Sequence, residues 1–278
     1  MAGRARSPAV HYIHPMPVAL TRRSRVLAAC AVPVAALLGV AAFAPLPFSL
    51  AEPGLTADVL GAKKGEQVIT ISGAEPRKTS GELRMTTIAA TGPDAAVGLD
   101  DVVDGWFRAD RAVMPRDSVY PVGENTDEIE EHNRAEMRES QDTATAAALG
   151  YLGRSPKDVK VTLRLSDVGG PSAGLLFALG IVDKLDGDGR GGDLTGGRTI
   201  AGTGTITADG RVGPVGGVPL KTRAAKRDGA TVFLVPAEEC GDARAELPKG
   251  LRLIPVTSLE GAVKALTALE RGGRVPHC

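Results

Sequence analysis

The hydrophobic pattern divides the chain sharply in two. Residues 26–51 form one apolar run without a single charge, and residues 1–25 before it carry Arg4, Arg6, Arg22, Arg23 and Arg25 with no acid. A basic flank followed by an apolar stretch is the pattern of an export signal or a membrane anchor. The run exceeds the roughly 20 residues a bilayer requires. Beyond it the pattern becomes that of a folded domain. Alternation of apolar and polar positions predicts strands over 66–71, 81–90, 159–165, 199–206 and 210–215, and short continuous apolar runs predict buried strands over 231–235 and 251–256. Helices are predicted over 136–152, 172–185, 220–226 and 258–269. Residues 93–135 show no clear period, and the acidic run 124–131 reads as solvated surface. The loop 186–193, with four glycines among its acids, reads as a flexible surface loop. Strands interleaved with helices give an α/β or α+β domain.

Composition narrows the partners. The chain has 278 residues, 43% of them hydrophobic, so it can bury a core, and its formal net charge is zero. With no basic excess and aromatics at 3%, nucleic acid is not an expected partner. No Cys/His cluster has zinc spacing, so no metal and no cofactor are expected. Only three cysteines occur, and Cys30 lies in the apolar run. An intramolecular bridge downstream of it can therefore join only Cys240 to Cys278, closing a loop worth roughly 3–4 kcal/mol.

The chemistry gathers at Gly170-Pro171-Ser172-Ala173-Gly174. Glycines ahead of the serine permit a turn, Pro171 suits a first helical position, and Ser172 stands where helix N–H groups have no intrahelical acceptor. Those donors, near Gly170, Pro171 and Ala173, form a candidate oxyanion site; the structural alternative is that Ser172 is only a helix cap. A serine nucleophile needs a base. His132 lies in the acidic run and His277 next to the last residue, so neither is an evident partner. A lysine can serve if burial brings its pKa down from about 10.4. Lys221 fits best, with Val218, Leu220, Ala224 and Ala225 around it and no acid between Arg211 and Arg227, whereas Lys184 and Lys226 neighbour aspartates. The alternative for Lys221 is a surface lysine whose stem lies along apolar neighbours.

Two segments together, Gly169 to Gly174 and Thr203-Gly204-Thr205-Ile206 through Gly210-Arg211-Val212-Gly213-Pro214-Val215-Gly216-Gly217-Val218-Pro219-Leu220-Lys221, resemble the proteolytic domain of Lon-type serine peptidases. The resemblance implies an α+β Lon proteolytic fold behind a single N-terminal transmembrane helix. It implies a Ser-Lys dyad, with Ser172 as nucleophile, Lys221 as general base and acid, and Thr203 orienting the lysine. With the apolar N-terminus, the chain is similar to the membrane-anchored, PDZ-containing Lon-type peptidases of Gram-positive bacteria. The expected layout is an anchor or signal over 1–51, an early part of the domain over 52–158, a proteolytic core over 159–272 and a tail over 273–278. Two departures stand out. A short linker, about 153–158, replaces the PDZ domain, and Gly169 occupies the position three before the serine where ATP-driven relatives carry an acid, the nearest acid here being Asp167.

The expected function is thus a cell-membrane, single-pass, extracytoplasmic and ATP-independent endopeptidase. It would be held in the membrane through residues 26–51, act on protein or peptide segments, and assemble as a homo-oligomer if it follows its relatives. A secreted form after signal cleavage is the alternative location. Rival functions are a non-catalytic membrane scaffold that retains the fold and a phosphate-binding small-molecule kinase-like protein, since a glycine-serine turn at a helix start also cradles anions.

Overall fold

A computed structural model describes residues 21–122, 125–165 and 170–278. The chain separates into two units that meet at Ala44 and Pro45. In the first, helix α1 (Arg22–Phe43) is capped by Thr21, whose hydroxyl accepts from the Ser24 N–H, and contains Pro33. Among the described residues it is the one helix long and apolar enough to cross a membrane. The predicted 26–51 span is corrected here. The helix ends at Phe43, Pro45 and Pro47 bar its continuation, and Ser49, Leu50 and Ala51 are buried within the second unit. Hydrophobicity alone cannot separate a membrane helix from a buried strand that follows it directly.

The second unit runs through β1 (Phe48–Asp58), β2 (Ala62–Lys63), β3 (Glu66–Gln67), β4 (Ile69–Ser72), β5 (Glu82–Ala90), α2 (Leu99–Phe107), β6 (Ala112–Pro115), α3 (Arg116–Val119), α4 (Thr126–Tyr151) and β7 (Lys160–Leu163). It continues through α5 (Gly174–Leu185), β8 (Thr199–Gly202), β9 (Thr205–Ile206), β10 (Val212–Gly213), α6 (Val218–Arg227), β11 (Val232–Pro236), α7 (Cys240–Ala245), β12 (Arg252–Val256) and α8 (Leu259–Glu270). Six strands form one mixed sheet in the order β12-β11-β8-β5-β1-β6. The pairs from β12 to β5 are parallel, and β1 runs antiparallel to both β5 and β6. The result is the α+β architecture expected of a Lon-type proteolytic domain.

Strand alternation decides which helices cover which face. Val232 and Leu234 of β11 join Ile200, Ile254 and Val256 in the core beneath α4, α5 and α8. The intervening Phe233 and Val235 pack with Ala201, Leu253, Val218, Ala225 and Ala243 beneath α6 and α7. Helix α5 is buried on every side, which explains why Leu175 to Val182 are apolar or glycine throughout. Its Asp183 is also fully buried, and burial pushes that carboxyl up to about 6. The Arg77 guanidinium donates to the Asp183 and Gly191 carbonyls, so the loop 186–193 is tied down at its base rather than free.

Several elements differ from the sequence pattern. Helix α4 starts ten residues before the predicted 136, because Asn125 caps it by accepting from the Glu128 N–H and Asp127 and Glu128 suit the positive end of its dipole. The described part of the acidic run is therefore its first turns, while Glu124 lies outside the described residues. Strand β1, helices α2, α3 and α7, and strand β6 carried no periodic signal; β1 was absorbed into the apolar run. Residues 52–158 and 159–272 are joined in the fold, since β4 pairs with β7 and β5 lies beside β8.

The tail is fastened by a disulfide between Cys240, the first residue of α7, and Cys278, which closes a sequence separation of 38. Cys278→Ser is expected to lower the unfolding free energy by about 2–4 kcal/mol. The thermal midpoint measured with and without reductant checks this, and an unchanged midpoint in both comparisons would contradict it.

Candidate active site

Ser172 is held in a short turn by bonds from two other parts of the chain. Gly170 adopts φ 87°, which a side-chain-bearing residue rarely takes, and Pro171 opens a single 3-10 turn, Pro171–Ala173, that leads into α5. The predicted residues Ser166 to Gly169, Asp167 among them, lie outside the described residues. The Ser172 carbonyl accepts from the Gly204 N–H at 2.9 Å and from the Thr203 hydroxyl at 3.3 Å. From the opposite side, the Ser140 hydroxyl of α4 donates to the Pro171 carbonyl at 3.1 Å. The turn is thereby fixed against both the end of β8 and the middle of α4.

Lys221 reaches the same place from α6. That helix begins at Gly217, which sits in the left-handed region at φ 69°, and a Cβ there would come 2.8 Å from Ile88 Cγ2 of β5. Only glycine allows the helix to start so close to the sheet. Lys221 is then 3% exposed, and its Nζ donates to Thr203 Oγ1 at 3.2 Å. Burial holds the amine down at about 8, against an ordinary 10.5. The Glu239 carboxylate acts in the opposite sense, raising it. Thr203 is fully buried and serves as the link: its hydroxyl accepts from the lysine and donates to the backbone of the serine.

Ser172, Lys221, Gly170 and Pro171 open onto one cleft of about 400 Å³. Thr87, Ile88 and Ala90 of β5 line it as well. No hydrogen bond joins the Ser172 and Lys221 side chains among the described residues. Ala173 is fully buried behind the turn and does not line the cleft.

Two further residues, His132 and Glu239, stand near the site. His132 lines the cleft from α4, with Nε2 3.4 Å from Glu136 Oε1. By sequence it belongs to a solvated run, and only the upstream extension of α4 brings it there. Glu239 follows β11 and lies outside the 211–227 stretch around Lys221, so the sequence next to the lysine carries no sign of it. Its partly buried carboxyl is pushed up by burial, and its Oε2 has no hydrogen-bond partner among the described residues.

Residues 159–268 match the Lon protease (S16) C-terminal proteolytic domain. Over these residues the chain is similar to a Lon-type proteolytic domain. Among curated proteins, the chain is 35% identical over 116 residues to the Lon protease of Azospirillum brasilense, covering 40% of this chain and 12% of that protein. It is 32% identical over 165 residues to Lon protease 1 of Sorangium cellulosum, covering 56% and 19% respectively. It is 34% identical over 96 residues to Lon protease 2 of Bacillus subtilis, covering 32% and 16%. The chain thus spans less than a fifth of the length of these relatives. Ser172, Thr203 and Lys221 all fall inside the matched Lon-type segment.

Proposed function

We propose that the chain is a membrane-anchored serine endopeptidase, with Ser172 as nucleophile and Lys221 as its base. The observation that carries this reading is the buried amine of Lys221. It has a lowered pKa and is hydrogen-bonded to Thr203, which also holds the serine's backbone in a shared cleft. A neutral Nζ would take the Ser172 proton as Oγ bonds to the peptide carbonyl carbon, and the N–H groups at the start of α5 would hold the oxyanion. The protonated lysine would return that proton to the leaving amine as the C–N bond breaks. Water would then attack the acyl-enzyme, with Lys221 again taking a proton, to release the acid and restore Ser172. Catalytic hydrogen bonds are commonly long in the free enzyme and tighten when substrate binds.

The substrate is proposed to be an extended, unfolded or exposed segment. β8 accompanies β5 only as far as the Met85–Gly202 pair, whereas β1 accompanies it to Ala90. The far end of β5 therefore has no ladder partner on the β8 side among the described residues, and Ile88 and Ala90 are in phase with Glu82, whose N–H bonds toward that side. An incoming peptide could add there as a strand beside the serine. The basic flank and α1 support anchoring with the N-terminus inside and the domain extracytoplasmic, where hydrolysis would proceed without ATP. A ring-like homo-oligomer is proposed only from the likeness to Lon proteases.

Fluorophosphonate labelling of the full chain tests this reading. Labelling that is lost in Ser172→Ala is expected, and nucleotide binding without labelling would favour the kinase-like rival. A folded chain with neither property would be a scaffold. His132 is the competing base, so His132→Gln is expected to retain most activity. Thr203→Val should lower kcat/KM by about 10–100-fold, the worth of a hydrogen bond to a charged group. Because Thr203 accepts from the charged amine, its loss should also move the acid limb of the pH profile to lower pH. Thr203→Ser should restore both.

A further inference from the structure

Helix α2 carries an apolar stripe that the fold leaves uncovered. One side of it is packed: Gly105 is buried, and a Cβ there would come 3.0 Å from Leu50 of β1 and Val113 of β6, so glycine lets the helix settle onto the sheet edge. At about 100° per residue, Leu99, Val103, Trp106 and Phe107 fall on a neighbouring arc about 100° wide. They are 41%, 48%, 74% and 85% exposed. Asp100, Asp101 and Asp104 occupy the remaining arc. Asp101 accepts from the Gly98 N–H at the helix start and Asp104 pairs with Arg111, so this polar side is organised within the domain.

The position of α2 in the chain says what should cover the stripe. The Leu46 N–H donates to the Val97 carbonyl at 2.8 Å, which places the start of α2 beside Leu46. Only Ala44 and Pro45 lie between Leu46 and Phe43, the last residue of the apolar helix α1. Three peptide steps reach at most about 11 Å. If α1 crosses a bilayer, Leu46 is kept within that reach of the point where the chain leaves it, and the residues leading into α2 pair with Leu46.

We propose that the Leu99/Val103/Trp106/Phe107 face of α2 lies in the interface of the same bilayer that α1 crosses, as a second contact holding the domain to the membrane. This rests on the anchored reading given under Proposed function. An amphipathic helix with bulky aromatics on its apolar side buries that side about 5–10 Å into the headgroup boundary, where tryptophan is also favoured. The acids around it mean that the attraction is apolar and needs no anionic lipid. A second copy is a poorer occupant: two aromatic side chains and two aliphatic ones expose a few hundred Å² at most, below the ~800 Å² per partner of a stable interface. Strand β6 and helix α3 follow α2 directly and supply Met114, Ser118 and Tyr120 to the cleft. Docking of α2 would therefore keep one wall of the cleft close to the lipid surface.

Trp106 is the only tryptophan in the chain, so it reports on this face without labelling. The full chain is reconstituted into phosphatidylcholine vesicles, plain or with acyl chains brominated near the headgroup or near the bilayer centre. The expected result is blue-shifted emission, shielded from acrylamide and quenched more by the shallow bromines than by the deep ones. Val103→Asp combined with Phe107→Asp should return the emission to that of a hydrated indole while the chain still resists extraction by alkaline carbonate. A carbonate-resistant wild-type chain whose Trp106 is open to acrylamide and untouched by bromine would overturn the docking and leave the anchor standing. Blue-shifted emission that ignores bromine and fades on dilution would overturn it in favour of a second copy. Release of the chain by carbonate would overturn the anchor and this proposal together, while fluorophosphonate labelling of Ser172 would be unaffected by any of these results.

Discussion

Ser172→Ala is expected to lower peptide hydrolysis by ~10⁴-fold or more while leaving the fold intact. The two parts of the expectation have separate origins. Ser172 is held through its backbone, since its carbonyl takes the hydrogen bonds from Gly204 and Thr203, and neither bond needs the side chain. Alanine keeps that backbone and removes only the oxygen that would attack. Residual turnover would come from oxyanion donors and substrate positioning. Hydrolysis of an unfolded protein by the full chain, wild type against variant, measures the loss. Equal rates would defeat the assignment, and a lowered thermal midpoint in the variant would show that the side chain also supports the turn.

Lys221 should set the pH dependence. A base with a pKa of about 8 is mostly protonated at neutrality, so kcat/KM should climb roughly tenfold per pH unit below that value and level off above it. Lys221→Met should abolish the activity at every pH. Lys221→Arg should do the same, because a guanidinium stays charged. Stability should also rise with pH, but over a higher window. The native pKa lies below the ordinary 10.5, so below about pH 8 the amine is charged in both states and the folded state alone carries the desolvation cost. Between about 8 and 10.5 the unfolded chain binds more protons, and wild-type stability rises with pH. Lys221→Met should therefore be more stable than wild type by up to about 3 kcal/mol below pH 8, with the gain fading toward 10.5. Denaturant titrations across that range read it out. A methionine variant that is destabilised throughout would mean that the Thr203 bond and the Glu239 charge outweigh the burial of the amine. Activity that survives in Lys221→Met and is lost in His132→Gln would point to His132 as the base.

The alternating segments at 82–90 and 199–202, the continuous apolar strand at 232–236, the helices after Ser172 and around Lys221, and the likeness of 159–268 to Lon-type proteolytic domains were all legible in the residues, because period, glycine placement and local turn chemistry are properties of neighbours in the chain. Sequence also singled out Cys240 and Cys278, by elimination among three cysteines. What lay beyond it depended on distant partners. That the apolar run breaks at Phe43 and resumes as β1 follows from β5 and β6 accepting those residues into the sheet, which no local hydrophobic sum can reveal. His132 faces the cleft because Asn125 starts α4 early and α4 packs on α5, and Glu239 reaches Lys221 because β11 returns the chain beside α6. The lowered pKa of Lys221 belongs to the same class. Its apolar neighbours on α6 made burial conceivable, but the depth of that burial is set by side chains from several elements closing over the amine, and desolvation is a property of the assembled interior rather than of any stretch of sequence.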